Sequence, residues 1–383
     1  MTHGSGGTSG AGLRILVVGA GIAGLGAARA LRQRGLAADV VERERAWTHT
    51  GAGIYLPGNA ARALRALGLE SAVAEQGSLI THQRVCDHRG RLLADIDLAD
   101  LWGDIGPCLA LHRADLHQVL TSHGDPVPAR MGRPVQGLSQ QANTVTVEFG
   151  DATADRYDLV IGADGIHSTV RQLAVGDGAV RPVGRLAWRF VTECPPEVTT
   201  WTAMLGRHVT FLAVPIGRAQ AYCYCDTPTE RTAGLQGNDV KGRLAGLLTG
   251  FAAPVPAIFD TLGADGAVHV APIEEVTLDR WSRRSVVLVG DAAHAMSPSM
   301  AEGAAMALED GLVLAECLAS RRAIAQAVAS FQARRRSRAQ WVIAQTHRRD
   351  RIRNLQPTLR NLVLRRWGRN IFHANYRPLL DVP

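Results

Sequence analysis

Residues 14–44, RILVVGAGIAGLGAARALRQRGLAADVVERE, constrain the fold more than any other stretch of the chain. An apolar run of strand length, Ile15 to Val18, leads into glycines at Gly19, Gly21 and Gly24. An alanine- and leucine-rich helical segment follows. A second strand, Ala38 to Val41, ends on Glu42 and Arg43. This order is a βαβ unit. Gly19 permits the tight strand-to-helix turn, Gly21 lets backbone approach a pyrophosphate, and Gly24 lets the helix pack close on the sheet. Ile22 and Ala23 open the helix, whose unpaired N–H groups and positive dipole end face the phosphates. Glu42 lies 18 residues beyond Gly24, where a carboxylate accepts both hydroxyls of an adenosine ribose. The segment predicts a bound dinucleotide, FAD or NAD.

At 383 residues the chain has room for two domains. A hydrophobic share of 46% and a charged share of 20% are ordinary for a soluble globular protein. No apolar run reaches the ~18 residues of a spanning helix. The first twelve residues, MTHGSGGTSGAG, lack the segments of a signal peptide and read as a disordered lead-in. A cytoplasmic location is the expectation. The six cysteines are scattered and read as reduced thiols. Cys223 and Cys225 share one face of a strand, but one C-x-C without partner pairs is a poor zinc site. The formal charge of +7 is carried almost wholly by arginine, with Lys241 the only lysine. Arg334, Arg335, Arg336, Arg348, Arg349, Arg351 and Arg353 crowd the C-terminal part. No nucleic-acid motif or aromatic platform accompanies them, so they read as a solvated helix face rather than a nucleic-acid surface. Docking of that helix on an anionic membrane is the alternative.

Further along, residues 51–69 give a glycine-rich loop and a short helix, and 80–98 alternate as a hairpin turning at 88–90. Residues 111–122 start a helix, and 143–150 alternate as a strand. RYDLVIGADGIHSTVR (156–171) repeats the pattern of apolar run, glycine–acid turn and helix. Residues 186–226 hold short alternating segments rich in Val, Thr, Phe, Tyr and Trp, as in an antiparallel sheet. Residues 239–262 read as helix, 285–319 as strand, loop and long helix, and 322–375 as helical and polar. The expected architecture is α/β. A Rossmann-like, glutathione reductase-type FAD-binding domain spans 1–79, 104–178 and 275–320. An inserted antiparallel β-sheet substrate domain spans 80–103 and 179–274. C-terminal helices fill 321–383 as packing or a dimer surface, in a monomer or homodimer.

Three motifs now stand in order: GAGIAG (19–24), ADG (163–165) and GDAAH (290–294). In this order the chain resembles the group A flavoprotein aromatic hydroxylases, the FAD-dependent monooxygenases of the para-hydroxybenzoate hydroxylase type. It is most similar to compact members such as salicylate and 6-hydroxynicotinate hydroxylases. The resemblance covers about residues 13–320. It implies that Glu42 holds the adenosine ribose and that Arg113 reaches the FAD pyrophosphate and ribityl region. Asp164 and Gly165 would touch FAD and be implicated in NAD(P)H binding, and Asp291 would bond the ribityl chain. Pro298 and the stretch beginning Gly303 and Ala304 would lie beside the isoalloxazine, with the helix dipole favouring anionic reduced flavin. The commoner pattern there is Gly-Gln-Gly, whereas this chain has Ala301-Glu302-Gly303.

The resemblance implies a cycle in which NADH or NADPH reduces FAD and O2 forms a C4a-hydroperoxide. Its distal oxygen passes to an aromatic or heteroaromatic small molecule. No Ser-His-Asp set, HExxH or metal-ligand spacing occurs in the sequence, and no second GxGxxG domain serves NAD(P)H. Substrate contacts are expected from Tyr55, Trp188, Arg189, His208, Phe211, Ser299 and Met300. The catalytic candidates are His208 as a base toward a phenol, with Tyr55 and Tyr222. Arg189 suits a substrate carboxylate. An FAD oxidase or dehydrogenase on the same fold, and a non-catalytic flavin-binding protein, remain as alternatives. A flavin-dependent halogenase would carry a Trp-x-Trp segment and a pocket lysine. The chain has no Trp-x-Trp, and Lys241 reads as part of a surface loop.

Overall fold

A computed structural model describes residues 12–47, 52–141, 143–176, 180–232, 239–262, 267–320 and 323–383. Most of the expected lead-in, 1–11, and part of the Lys241 segment, 235–238, lie outside the described residues.

A five-stranded sheet organises the nucleotide half. Its order is Ser282–Arg283, Val286–Leu288, Leu159–Gly162, Ile15–Val18 and Ala38–Val41. The last four strands run parallel. Ile15–Val18 and Leu159–Gly162 are buried at every position, which is why they read as unbroken apolar runs rather than alternating ones. The Ile22–Gln33 helix returns the chain and packs on the Gly303–Ser320 helix. Because the strands are parallel neighbours, Gly19, Asp164 and Asp291, each just past its strand, gather at one edge of the sheet. In such sheets that carboxyl-end crevice is where ligands bind.

A seven-stranded sheet forms the second layer. Its order is His269–Val276, Val180–Glu193, Gln220–Pro228, Thr210–Pro215, Trp201–Leu205, His82–Asp87 and Leu92–Asp97. The expected antiparallel sheet contains one parallel pair, Trp201–Leu205 beside His82–Asp87, because the 82–97 hairpin joins it from an earlier part of the chain. One face of this sheet is dry. Trp188, Phe190, Met204, Phe211, Cys223 and Cys225 pack there against Leu244, Leu248, Val255 and Ile258. The segment 239–262 forms two short helices, Val240–Leu247 and Val255–Thr261, with Pro254 capping the second. Lys241 therefore sits on a helix, not in a loop.

The C-terminal part forms two long helices, Ile324–Arg353 and Pro357–Tyr376, divided where Pro357 follows Gln356. The solvated-face reading of their arginines fails in part. Arg335 and Arg360 are 0% and 1% exposed. Arg335 pairs with Glu309 and Asp310, and Arg353 with Asp226. Arg360 donates to the carbonyls of Leu205 and Gly206. Among the described residues, no helix is long and apolar enough to cross a membrane and no cysteine pair forms a disulfide.

Candidate functional site

Two adjoining cavities occupy the crevice at the strand ends. The smaller, about 420 Å³, is lined by Gly19, Gly21, Glu42, Arg43, Asp164 and Gly165 among others. The larger, about 890 Å³, is walled on one side by Asp291, Pro298, Ser299, Met300, Gly303 and Ala304. Its other walls are the open face of the seven-stranded sheet and the C-terminal helices. Arg113, at the start of the Arg113–Ser122 helix, lines both cavities and marks the passage between them.

The smaller cavity has the shape of a phosphate cradle. A Cβ on Gly24 would stand 1.8 Å from the Gly19 carbonyl oxygen, so only glycine lets helix and turn meet. A Cβ on Gly21 would meet nothing within 4 Å, which leaves the approach to the helix end open. Gly21 caps that helix without a side-chain hydrogen bond, and no acid occupies its first turn, where Ile22 and Ala23 sit. Its orphan N–H groups are thus free to meet an anion. Glu42 already accepts from the Ala20 N–H at 2.8 Å, which fixes its carboxylate at the cavity wall. The Gly303–Ser320 helix also has no acid in its first turn, and a Cβ on Gly303 would meet nothing within 4 Å. Asp164 behaves otherwise. Its carboxylate accepts from Ser168 Oγ and the Val170 N–H and so braces its own turn, and burial pushes its pKa up.

The third turn is held from below. Asp310 accepts from the Gly290 N–H at 2.9 Å and from Arg335 Nε at 2.8 Å, and lies 2.6 Å from His294 Nε2. Burial by itself would push Asp310 up, but His294 and Arg335 outweigh it and hold the carboxyl low. Asp291 is thereby fixed facing the larger cavity. Glu302, just before the Gly303–Ser320 helix, does not line that cavity. It is 1% exposed and points to Asn59, whose Nδ2 donates to it at 2.9 Å. Burial pushes its pKa up to about 8.

The FAD binding domain family matches residues 13–346 of this chain. Aurachin C monooxygenase/isomerase of Stigmatella aurantiaca is 31% identical over 340 residues, 88% of each chain. The 3-amino-4-hydroxybenzoate 2-monooxygenase of Streptomyces cremeus is 34% identical over 354 residues, 88% of this chain and 86% of the relative. The solved structure of Klebsiella pneumoniae HpxO complexed with FAD and uric acid shares 26% identity, with a TM-score of 0.88 over 97% of both chains. This chain belongs to the FAD-dependent aromatic monooxygenases.

In this monooxygenase, FAD is the cofactor. The sequence candidates divide sharply around the larger cavity. Tyr55, Arg189, Tyr222, Ser299 and Met300 line it. His208 does not. It is exposed in the turn between Trp201–Leu205 and Thr210–Pro215, with φ of 70°, and its carbonyl accepts from Arg185. Trp188 and Phe211 are likewise excluded, because strand alternation turns them into the dry core on the opposite face. The same alternation brings Tyr222 and Tyr224 to the cavity face. Tyr55 OH accepts from Gln83 Nε2 at 3.1 Å. Burial raises the pKa of both Tyr55 and Tyr222, so they act as neutral hydroxyls.

Sequence reasoning missed Asp350, Arg349 and Arg353, which reach the cavity from the Ile324–Arg353 helix. Ser299 Oγ donates to Asp350 Oδ1 at 2.5 Å, and Arg353 stands 3.0 Å from the same carboxylate. One signal was present: Asp350 is the only acid in a helix that carries eight arginines.

Proposed function

We propose that this monooxygenase consumes NAD(P)H and O2 to hydroxylate an aromatic or heteroaromatic small molecule held in the 890 Å³ cavity. The observation that carries the reading is the joint between the cavities at Arg113. It lets one extended cofactor lie with its phosphates at Gly21 and its reactive ring between Pro298, Gly303 and the sheet. Glu42 would hold the ribose, the Ile22–Gln33 helix end and Arg113 the pyrophosphate, and Asp291 the ribityl chain. Bound there, FAD supplies hydride acceptance and oxygen activation.

The chain's own residues prepare the substrate. Ser299 donates its O–H hydrogen bond to Asp350, so its Oγ lone pairs are left to accept from a ring hydroxyl or N–H. A proton leaving the substrate then passes to Ser299 Oγ as the serine proton moves to Asp350 Oδ1. Arg353, 3.0 Å from that carboxylate, holds it in place facing Ser299. Removing the proton enriches the ring in electrons where oxygen must add. Tyr222 and Arg189 hold the opposite side of the ring, and the apolar remainder of the wall excludes water.

The test is turnover of the purified holoenzyme with a panel of hydroxybenzoates, hydroxypyridines and hydroxyquinolines. An active member accelerates NAD(P)H and O2 consumption together and yields a product heavier by one oxygen. Substrate oxidation without NAD(P)H, or a flavin that no nicotinamide reduces, would overturn the proposal.

A further inference from the structure

The face of the seven-stranded sheet that lines the larger cavity changes character from one edge to the other. Strand register ties the change together. His269 pairs with Arg189, Arg189 with Tyr224, and Tyr224 with Leu212. Leu212 then pairs with Ala203, Ala203 with Val85, and Val85 with Ala94. All seven line the cavity. The first three are polar or charged and lie on the strands nearer Asp291. The last four are apolar. Three strand spacings of ~4.8 Å place Leu212 about 14 Å from Ala94.

The opposite wall of this apolar end is the Pro357–Tyr376 helix, which contributes Leu364, Ile371 and Phe372. Two contacts fix that helix. Tyr376 OH donates to the Met300 carbonyl at 2.9 Å, which ties it to the loop beside the reacting ring. At Gly368 an added Cβ would stand 2.8 Å from the Ala94 Cβ, so the helix closes down on the last strand there. Gln83, two residues from Val85 on the same strand, is spent on Tyr55 OH. A compact ring bound at Ser299 would leave this end without a partner.

We infer that the apolar end, between the Pro357–Tyr376 helix and the edge of the seven-stranded sheet, is a subsite for an alkyl chain carried by the aromatic substrate. The inference rests on the hydroxylase reading and names the substrate class of the same cavity. The ring lies among Ser299, Tyr222 and Arg189, and the chain runs along Leu212, Ala203 and Val85 toward Ala94. Methylenes removed from water along this row strengthen binding in proportion to their number.

The probe is a series of 4-alkylphenols from methyl to nonyl. Each is titrated into FAD-loaded enzyme and followed by perturbation of the visible flavin spectrum. Affinity should rise about fourfold per methylene until the row is full, then level off. Ala203→Phe fills the row from the sheet, and Leu364→Phe fills it from the helix. Either variant, with its FAD retained, should compress the ratio of nonyl to methyl affinity. Two variants on separate walls keep the test decisive if one fails to fold. Affinity indifferent to chain length overturns the inference. So does a chain-length dependence that both variants leave intact, which would mean partition onto the surface. The absence of a spectral change with every member overturns it too. If phenols still stimulate NAD(P)H oxidation in such cases, the hydroxylase reading survives and only the alkyl subsite falls.

Discussion

Replacing Glu302 by glutamine isolates the energetic consequence of a buried acid just before the Gly303–Ser320 helix. Glu302 is 1% exposed, accepts a single hydrogen bond from Asn59, and leaves its Oε1 without a partner. Burial moves its pKa from the usual 4.5 to about 8, with Glu309 adding to the rise and Asn59 opposing it. The sign follows from proton counting. Between those values the folded chain keeps a proton that the unfolded chain releases, so stability falls as pH rises from 4.5 to 8. At ~1.36 kcal/mol per pH unit the loss is about 3 kcal/mol by pH 7 and about 5 kcal/mol by pH 8. Below pH 4.5 both states hold the proton and the loss vanishes. Glutamine cannot ionise, yet it offers Asn59 the same acceptor, and its NH2 group takes the place of the acid O–H. Glu302→Gln should therefore match the parent near pH 5 and exceed it increasingly toward pH 8. The assay is the urea midpoint of both proteins at matched, saturating FAD across that range. A constant difference between the two proteins, or a less stable variant at pH 8, refutes the argument that Glu302 is buried as a neutral acid. The same substitution restores the commoner Gly-Gln-Gly spelling at its central position, so FAD occupancy should not fall.

Asp350→Asn removes the acceptor of the Ser299 proton. Turnover of a phenolic substrate should fall by a factor of about 10²–10⁴ while FAD reduction by NAD(P)H persists, and stopped-flow separation of the two half-reactions checks this. Arg335→Met takes one cation from each of the buried acids, leaving Glu309 with Arg338 and Arg62 and Asp310 with His294. A loss at the lower end of about 3–5 kcal/mol is expected, read by thermal unfolding at pH 7. Gly24→Ala forces a Cβ to 1.8 Å from the Gly19 oxygen, so the purified protein should be colourless or insoluble. His208→Asn keeps a residue that tolerates positive φ in an exposed turn, and steady-state turnover should be unchanged. A marked loss would return His208 to the site.

The order of the three glycine–acid turns and their place at strand ends were legible in the sequence. Each rests on a local pattern of an apolar run and a glycine at the turn, with Asp164 and Asp291 close behind the second and third glycines and Glu42 at the end of the strand that follows the first. Parallel pairing of Ile15–Val18, Leu159–Gly162 and Val286–Leu288 then brings them together with little further freedom. Period-two alternation also showed that Tyr222 and Tyr224 share one face and Cys223 and Cys225 the other. It could not show which face meets the cavity, because that depends on where two helices, 240–247 and 255–261, come to rest. Trp188 and Phe211 fell on the wrong side for this reason.

The C-terminal arginines were opaque for a related cause. Arg335 finds Asp310 25 residues back, and Arg353 finds Asp226 127 residues back. A charge run looks solvated until its distant partners are known. By its sequence alone this chain was committed to gathering three strand-end turns at one edge of a parallel sheet, since backbone sterics and strand polarity act over a few residues. Which side chains meet the substrate was left to tertiary packing. Sheet face, turn exposure and the docking of the last two helices are set by contacts between segments that the chain itself keeps far apart.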